Sequence, residues 1–415
     1  MDRQQIEDAL QNGKNALNRQ QIEDAVRKGV IENLNMDRTV SDEDIREQIR
    51  KQIFVTAREN PLSVNERLTL EHNVFNALRR LDVLSDLLAD DEVTEIMING
   101  PDNIFIEKAG KLMKLDRHFS SAEKLSDIIQ TIVAANNQMV NESSPIVDTR
   151  LADGSRVSIV LPPVSVDRAT VTIRRFPKEP YTMDMLVKNG TMTREIADFL
   201  KKLVVARYTI LVGGGTGSGK TTLLNALPGF IPSDERVITI EDSAELKVMG
   251  IPNLVTLEAR AATLEGKLAV TIRDLLKATL RMRPDRIIVG ECRGEETLEM
   301  LQACNTGHDG SLTTAHANSP EDMLARLETM VLMGMDLPVD AIRRQIAGGI
   351  DFFVQVSRMR DRSRKLVAIN EVDGMENGHV KLVPIYTYTL EGGKGTWKKV
   401  NEIIHTDKLV MAGLR

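Results

Sequence analysis

Eight residues, GGTGSGKT at positions 214–221, constrain the fold of this chain more than any other stretch. They fit the pattern G-x-x-x-x-G-K-[ST]. They also stand between an apolar run, YTILV, and a helix-like run, TTLLNAL, which is the context that the pattern requires. Glycines let successive backbone N–H groups turn toward one point without interference from a Cβ, and so form a cradle for an anion. The start of the following helix adds partial positive charge. Gly214, Gly215, Thr216, Gly217, Ser218 and Gly219 are the candidate cradle, with Thr222 just beyond it. Lys220 is placed to meet the β and γ phosphates of a nucleotide, and the Thr221 hydroxyl to ligand a Mg²⁺ ion. The plainer alternative is a glycine-rich turn without a ligand. The strand before and the helix after speak against it.

The surroundings agree. From about residue 190 onward, strand-like and helix-like runs alternate, which predicts a parallel sheet flanked by helices. RVITI and RIIVG read as further buried strands. TIRDLLKATL sets Ile272, Leu275, Leu276 and Leu280 at helical spacing. KLVAINEV and HVKLVPIYTYTL read as strands added at a sheet edge. Residues 86–180 mix short strands and helices. VTEIMING and NIFIEKAG are strands around Asn99-Gly100. A helix follows near 122–136, then SRVSIVLPP and ATVTIRRF, with Asp153-Gly154 as a tight turn. FPKEP at 176–180 has linker composition. Residues 1–85 are charged and helix-like, with Gly13 and Gly29 as expected breakers. The heptapeptide RQQIEDA occurs twice there, at 3–9 and 19–25. Two copies are too few for a solenoid.

Composition narrows the function. The 415 residues suggest two or three domains. No apolar run approaches 18 residues, so no spanning helix is expected. The polar, acidic start MDRQQIEDAL is unlike a secretory signal. Lys plus Arg number 54 against 60 Asp plus Glu, a formal charge of −6, which disfavours a nucleic-acid motor with its basic field. The two cysteines, Cys292 and Cys304, lack metal-like or CxxC spacing and fit a reducing, cytosolic compartment.

Phosphate chemistry also needs acids. RIIVGE puts Glu291 just past a strand, where it can hold the metal partly through water. ITIEDSAEL offers Glu241, Asp242 and Glu245 after another strand. These could be a solvated turn, but strand C-termini are where α/β folds build ligand sites. The stretch GHDGSLTTAHANSP, 307–320, holds two of the six histidines, His308 and His316, in what reads as a flexible polar loop. Ser319, Pro320 and Asp322 then start a helix. The histidines lack a third partner at metal-ligand spacing. Arg156, Arg174 and Arg175 sit at strand ends in the smaller domain, where arginines are ordinarily solvated. Met323, Met330, Met333 and Met335 read as helix core or adaptable contact surface.

Four boxes in this order, GGTGSGKT, TIEDSAEL, RPDRIIVGECRGEE and GHDGSLTTAHANSP, resemble the secretion-ATPase superfamily of type II and type IV secretion and pilus assembly. The nearest likeness is to the CpaF-type ATPases of tight-adherence (Flp) pili. The resemblance runs from VTEIMING through SRMRDRSRK, and Cys292 and Cys304 stand where other apolar residues are expected. It implies an α/β fold: a RecA-like P-loop domain, here over 190–415, preceded by a smaller α/β domain, here over 86–180; the N-terminal helical region over 1–85 is read from its composition. It further implies ATP and Mg²⁺ bound between the smaller domain and the P-loop domain. His316, with His308, would sense the γ-phosphate, and Arg156 and Arg174 would reach the bound ATP. Arg293 and Glu296 would be a site-organising and subunit-contact pair. Glu245, then Glu241, is the expected water-activating base. The implied assembly is a homo-oligomer, a hexameric ring, at the cytoplasmic face of the inner membrane, working on platform proteins of the pilus or secretion system, with no nucleic acid. A RecA-like nucleic-acid motor and a weakly hydrolysing nucleotide-binding scaffold are the alternatives.

Overall fold

A computed structural model describes residues 19–33, 41–58, 60–79, 81–108, 110–176, 180–260, 269–391 and 394–415. The chain divides into two compact units, Met1–Lys178 and Glu179–Arg415.

The first unit begins with helices α1 (Arg19–Asn33), α2 (Asp42–Thr56) and α3 (Val64–Arg79). Each carries a narrow apolar stripe at four-residue spacing: Ile22, Val26 and Val30, then Ile45, Ile49 and Ile53, then Leu70 and Val74. These side chains and Phe75 bury one another as a single cluster. Gly29 does not break the chain as expected but lies inside α1. A Cβ there would come within 2.3 Å of Gln52 Nε2, so the glycine admits the neighbouring helix. The second RQQIEDA copy opens α1. The first copy lies outside the described residues. Ser41 starts α2 with a capping box, its hydroxyl accepting the Asp44 N–H while the Asp44 carboxylate accepts the Ser41 N–H.

After α4 (Val83–Ala89) comes a six-stranded sheet: β1 (Val93–Asn99), β2 (Ile104–Lys108), β3 (Lys111–Lys114), β4 (Ile146–Arg150), β5 (Arg156–Val160) and β6 (Thr170–Arg174). Its order is β3-β2-β1-β6-β5-β4, and every pairing is antiparallel. Helix α5 (Ala122–Ala134) buries Leu125, Ile128, Ile129, Ile132 and Val133 against it. Strand β4 has no strong apolar signature, since Thr149 is its one buried residue. Its pairing with β5 is what makes it a strand.

The second unit is a doubly covered α/β layer. Its strands are β7 (Ile210–Gly214), β8 (Val237–Glu241), β9 (Leu254–Glu258), β10 (Arg286–Val289), β11 (Leu312–Ala315), β12 (Phe352–Arg358), β13 (Arg364–Glu376), β14 (His379–Glu391) and β15 (Lys394–Lys399). The order is β15-β14-β13-β12-β7-β11-β10-β8-β9. From β12 to β9 the pairs are parallel, and β13 to β15 extend the sheet antiparallel. Alternation along each strand feeds two cores. Ile210 and Val212 of β7, with Phe352 and Val354 of β12, belong to one. Leu211 and Phe353 belong to the other. Helices α6 (Met183–Lys188), α7 (Arg194–Val205) and α8 (Lys220–Ala226) serve the first core, with the short C-terminal α13 (Asp407–Met411). Helices α9 (Ile272–Thr279), α10 (Glu296–Asn305), α11 (Pro320–Gly334) and α12 (Val339–Gly349) serve the second. Met323 and Met330 are buried on α11, while Met333 and Met335 are exposed. Cys292 and Cys304 are buried, and burial pushes both thiols up to about 12. They act as small apolar groups.

One buried charge holds the start of β10. Arg286 is 0% exposed. It donates to both carboxylate oxygens of Glu235 at 2.5 and 3.0 Å and to the Val204 carbonyl at 2.6 Å. A Cβ on Gly310 would meet its guanidinium at 2.7 Å. Removing one member of such a pair strands the other charge, at a cost of about 3–5 kcal/mol. Arg286→Leu is therefore expected to lower the urea midpoint by that equivalent. A midpoint within experimental error of wild type would contradict the reading.

Candidate nucleotide site

The phosphate loop follows β7 and is shaped by close approach. Gly214, Gly217 and Gly219 have φ of +159°, +68° and +99°. A Cβ on Gly214 would lie 2.4 Å from Ser218 Oγ and 2.5 Å from the Val356 carbonyl. Lys220, at the start of α8, is nearly buried. Its amine donates to the Gly215 carbonyl at 3.0 Å and to His316 Nδ1 at 3.2 Å. Ser218 Oγ is buried and has no hydrogen-bond partner among the described residues. An orphaned hydroxyl beside a buried ammonium, in a loop of left-handed glycines, fits an anion. Thr216 and Thr221 are exposed, and Thr222 is half-buried.

From Lys220 a line of charged contacts crosses the sheet ends. His316 Nε2 lies 2.9 Å from Glu291 Oε1. Arg293 reaches Glu291 Oε2 at 2.8 Å and Asp242 Oδ2 at 3.2 Å. The line ties the loop after β7 to residues following β11, β10 and β8. Burial lowers the His316 pKa below the usual histidine range, and Lys220, Arg293 and Arg326 act the same way against the opposing pull of Glu291. The ring is then neutral near pH 7. Since an ammonium can only donate, Nδ1 accepts from Lys220, and the proton of the neutral ring sits on Nε2, close to Glu291 Oε1 but not hydrogen-bonded to it.

The acidic box separates its two glutamates. Glu241 ends β8 and is buried. Its carboxylate accepts the N–H groups of Glu245 and Leu246 at 3.0 to 3.3 Å. A Cβ on Gly290 would lie 2.8 Å from Glu241 Cγ, so glycine ahead of Glu291 makes room for it. Glu241 thus folds the turn that carries Glu245, which is itself half-buried. Arg293 and Glu296 do not pair by their side chains. Glu296 Oε1 accepts the backbone N–H of Arg293 and of Gly294, at 2.6 and 3.0 Å.

The histidine stretch requires a correction. Its middle, Leu312–Ala315, is not a loop but a fully buried strand between β7 and β10. Threonines are β-branched and suit a strand, and their polar atoms are matched here. Thr314 Oγ1 donates to the Gly290 carbonyl at 2.7 Å, and the Thr314 carbonyl accepts the Cys292 N–H at 2.8 Å. Because β11 lies parallel to β7, with Leu312 opposite Ile210 and Ala315 opposite Gly213, His316 emerges level with the phosphate loop. His308 precedes the strand and lies at the other end of the sheet. The fold therefore sets it apart from the phosphate loop, away from the expected nucleotide contact. Its Nδ1–H donates to the Ala303 carbonyl at 3.1 Å, at the end of α10. The following helix starts as expected, with Ser319 Oγ accepting the Asp322 N–H at 3.0 Å.

Sequence patterns did not single out Gln355. It is buried on β12, donates to the Ala317 carbonyl at 2.9 Å, and would meet a Cβ on Gly213 at 2.3 Å. It braces the chain just past His316. A lone amide inside FFVQVS was the available signal.

In the first unit, Arg156 and Arg174 are register partners, and Arg150 pairs with Arg156 on the next strand. The three arginines form one cross-strand row. Arg174 Nε lies 3.8 Å from Glu95 Oε1. Arg175 is different in kind. It is 8% exposed, and its guanidinium donates to the carbonyls of Leu87, Leu88, Asp90 and Val93, closing the end of α4.

Magnesium sites use few protein ligands, one or two carboxylates completed by water and phosphate. Thr221 and Glu291 are the residues expected to supply the protein's share. No group of three His, Cys, Asp or Glu side chains able to hold a metal exists among the described residues.

A phosphate loop on the central strand of a parallel sheet, with acids at neighbouring strand ends, defines a P-loop nucleotide-hydrolysing domain. The family model described as "Type II/IV secretion system protein" matches residues 78–362, and the chain belongs to that family. It is 35% identical over 312 residues to a putative conjugal transfer protein of Mycobacterium tuberculosis strain H37Rv, covering 73% of this chain and 87% of that one. It is 30% identical over 332 residues to the type IV secretion system protein VirB11 of Bartonella henselae, covering 70% and 92%. Among solved structures it shares its fold with the pilus retraction motor PilT, with a TM-score of 0.51 and 20% identity over 70% of this chain and 81% of that one. The protein is an ATPase of the type II/IV secretion family.

Proposed function

We propose that the chain is an ATP-hydrolysing motor, working as a hexameric ring at the cytoplasmic face of the inner membrane, that drives assembly of a tight-adherence (Flp-type) pilus through membrane platform proteins. The observation that carries a motor rather than a passive nucleotide holder is the line Lys220, His316, Glu291, Arg293, Asp242. A change at the phosphates displaces Lys220 from His316 and is felt at three strand ends. A secretion or conjugation motor is the second reading, favoured by the names of the relatives. Net charge of −6 argues against a nucleic-acid track. Among the described residues no helix is long and apolar enough to cross a membrane.

In this reading Gly214, Gly215, Thr216, Gly217, Ser218, Gly219 and Thr222 line the phosphate chain of ATP, and Lys220 neutralises its β and γ phosphates. Thr221 and Glu291 hold Mg²⁺, which supplies charge neutralisation when bound. Glu245 takes the proton from the attacking water, Glu241 fixes the Glu245 turn, and His316 reports the γ-phosphate. Arg156 and Arg174 supply further positive charge to ATP. Their support is the row itself, which gathers three guanidinium groups side by side on neighbouring strands.

Arg156→Ala with Arg174→Ala is expected to lower kcat by about 10²–10³ with a smaller change in KM, at or below the low end for an arginine finger. Steady-state phosphate release by the full-length chain measures this. Normal hydrolysis by the double variant would leave both as ordinary strand-end arginines.

A further inference from the structure

The hairpin joining β12 to β13, SRMRDRSRK, lies against the phosphate loop. Strand β12 pairs with β7 as far as Val356 opposite Gly214, so the chain leaves the sheet beside the first residue of that loop. Arg358 and Arg364 then face one another as register partners across the hairpin. Arg364 Nε donates to the Gly217 carbonyl at 3.1 Å. Arg358 Nη1 lies 3.8 Å from where a Cβ on Gly217 would stand, and Arg364 Cδ 3.7 Å from one on Gly219. The tip between them is tied down. The Met359 N–H donates to the Ser363 carbonyl at 2.7 Å, and the Arg362 N–H to the Met359 carbonyl at 2.9 Å. Asp361 accepts from both the N–H and the hydroxyl of Ser363. Two cations directly opposed on a hairpin cost stability, so folding alone gives no reason for the pair.

We propose that Arg364 is a positioning residue of the phosphate loop, acting through the Gly217 carbonyl. A trans peptide sets its C=O and N–H on opposite sides. Holding the Gly217 carbonyl toward the hairpin therefore directs the Ser218 N–H into the loop, where it reaches the Gly215 carbonyl at 3.3 Å. Gly217 has a backbone conformation that few other residues would hold, and without the guanidinium this peptide can turn over. The loss falls on nucleotide affinity, because Lys220 and the acidic box are untouched. Arg358 brings the same charge to the same place without a hydrogen bond to the loop carbonyl, and so separates positioning from charge.

The inference rests on ATP hydrolysis at this loop, which wild-type turnover tests independently. Full-length wild type, Arg364→Ala, Arg364→Lys and Arg358→Ala are compared for kcat and KM with ATP, and for the Kd of ADP. Arg364→Ala is expected to raise KM and Kd about tenfold, the size of one exposed charge-assisted hydrogen bond, with kcat unchanged. Arg364→Lys, which keeps a charged donor, recovers most of that loss. Arg358→Ala changes KM by less than about threefold, the screened effect of one exposed charge. Equal effects at the two arginines would show that charge alone acts and overturn the proposal. So would a fall in kcat at unchanged KM, or wild-type constants in Arg364→Ala.

Discussion

Lys220→Ala is expected to abolish ATP turnover while the fold survives. The ammonium is nearly buried and lies between the Gly215 carbonyl and His316 Nδ1. A phosphate entering the loop meets this charge at close range, with little water to screen it. Removing a preorganised charge aimed at the reacting group costs on the order of 10²–10³ in kcat or more. The variant also cuts the line to Glu291 and Arg293 at its first link. The packing cost is small by comparison, because β7 is held on both sides by β11 and β12. A thermal midpoint near wild type with no phosphate release is the expected pair of results. Wild-type kcat would remove the loop from the chemistry.

The central strands and the phosphate loop were legible from sequence because their signals are local. YTILV leads into β7, which is buried throughout and runs on into the first glycine of GGTGSGKT, and α8 begins at Lys220. RVITI and RIIVG are likewise found as β8 and β10. Strand β11 was hidden because half of its four residues are threonines and glycines precede it. Its burial depends on neighbours distant in sequence, with Thr314 satisfied by Gly290. Misreading it as a loop put His308 beside His316, when four strand residues at about 3.3 Å each separate the two ends. The acidic box shows the same limit. Sequence ranked Glu245 ahead of Glu241 as the base but could not show that Glu241 is a buried carboxylate folded under backbone N–H groups while Glu245 is only half-buried. The arginines at 174 and 175 are adjacent in sequence yet opposite in role. Four carbonyls claim Arg175, while Arg174 is exposed.

Those differences set the second large effect. Glu245→Gln is expected to keep ATP bound and to lose hydrolysis by about 10²–10⁴, the usual contribution of a general base. The amide keeps the shape and removes the proton acceptor. Glu241→Gln acts by another route. Its carboxylate accepts two backbone N–H groups, and an amide presents one oxygen where two are used. The turn loosens, and nucleotide affinity and stability fall along with rate. The reverse pattern, with Glu241→Gln binding ATP tightly and inert and Glu245→Gln active, would move the base to Glu241.

The decisive measurement is a single turnover on the full-length protein, following radiolabelled ATP bound in the presence of Mg²⁺. Wild type should convert bound ATP to ADP and phosphate, and Glu245→Gln should hold ATP intact over the same interval. Lys220→Ala should show no conversion. Intact ATP on the wild-type protein, or conversion at the wild-type rate by Lys220→Ala, would contradict a hydrolytic motor built on this loop.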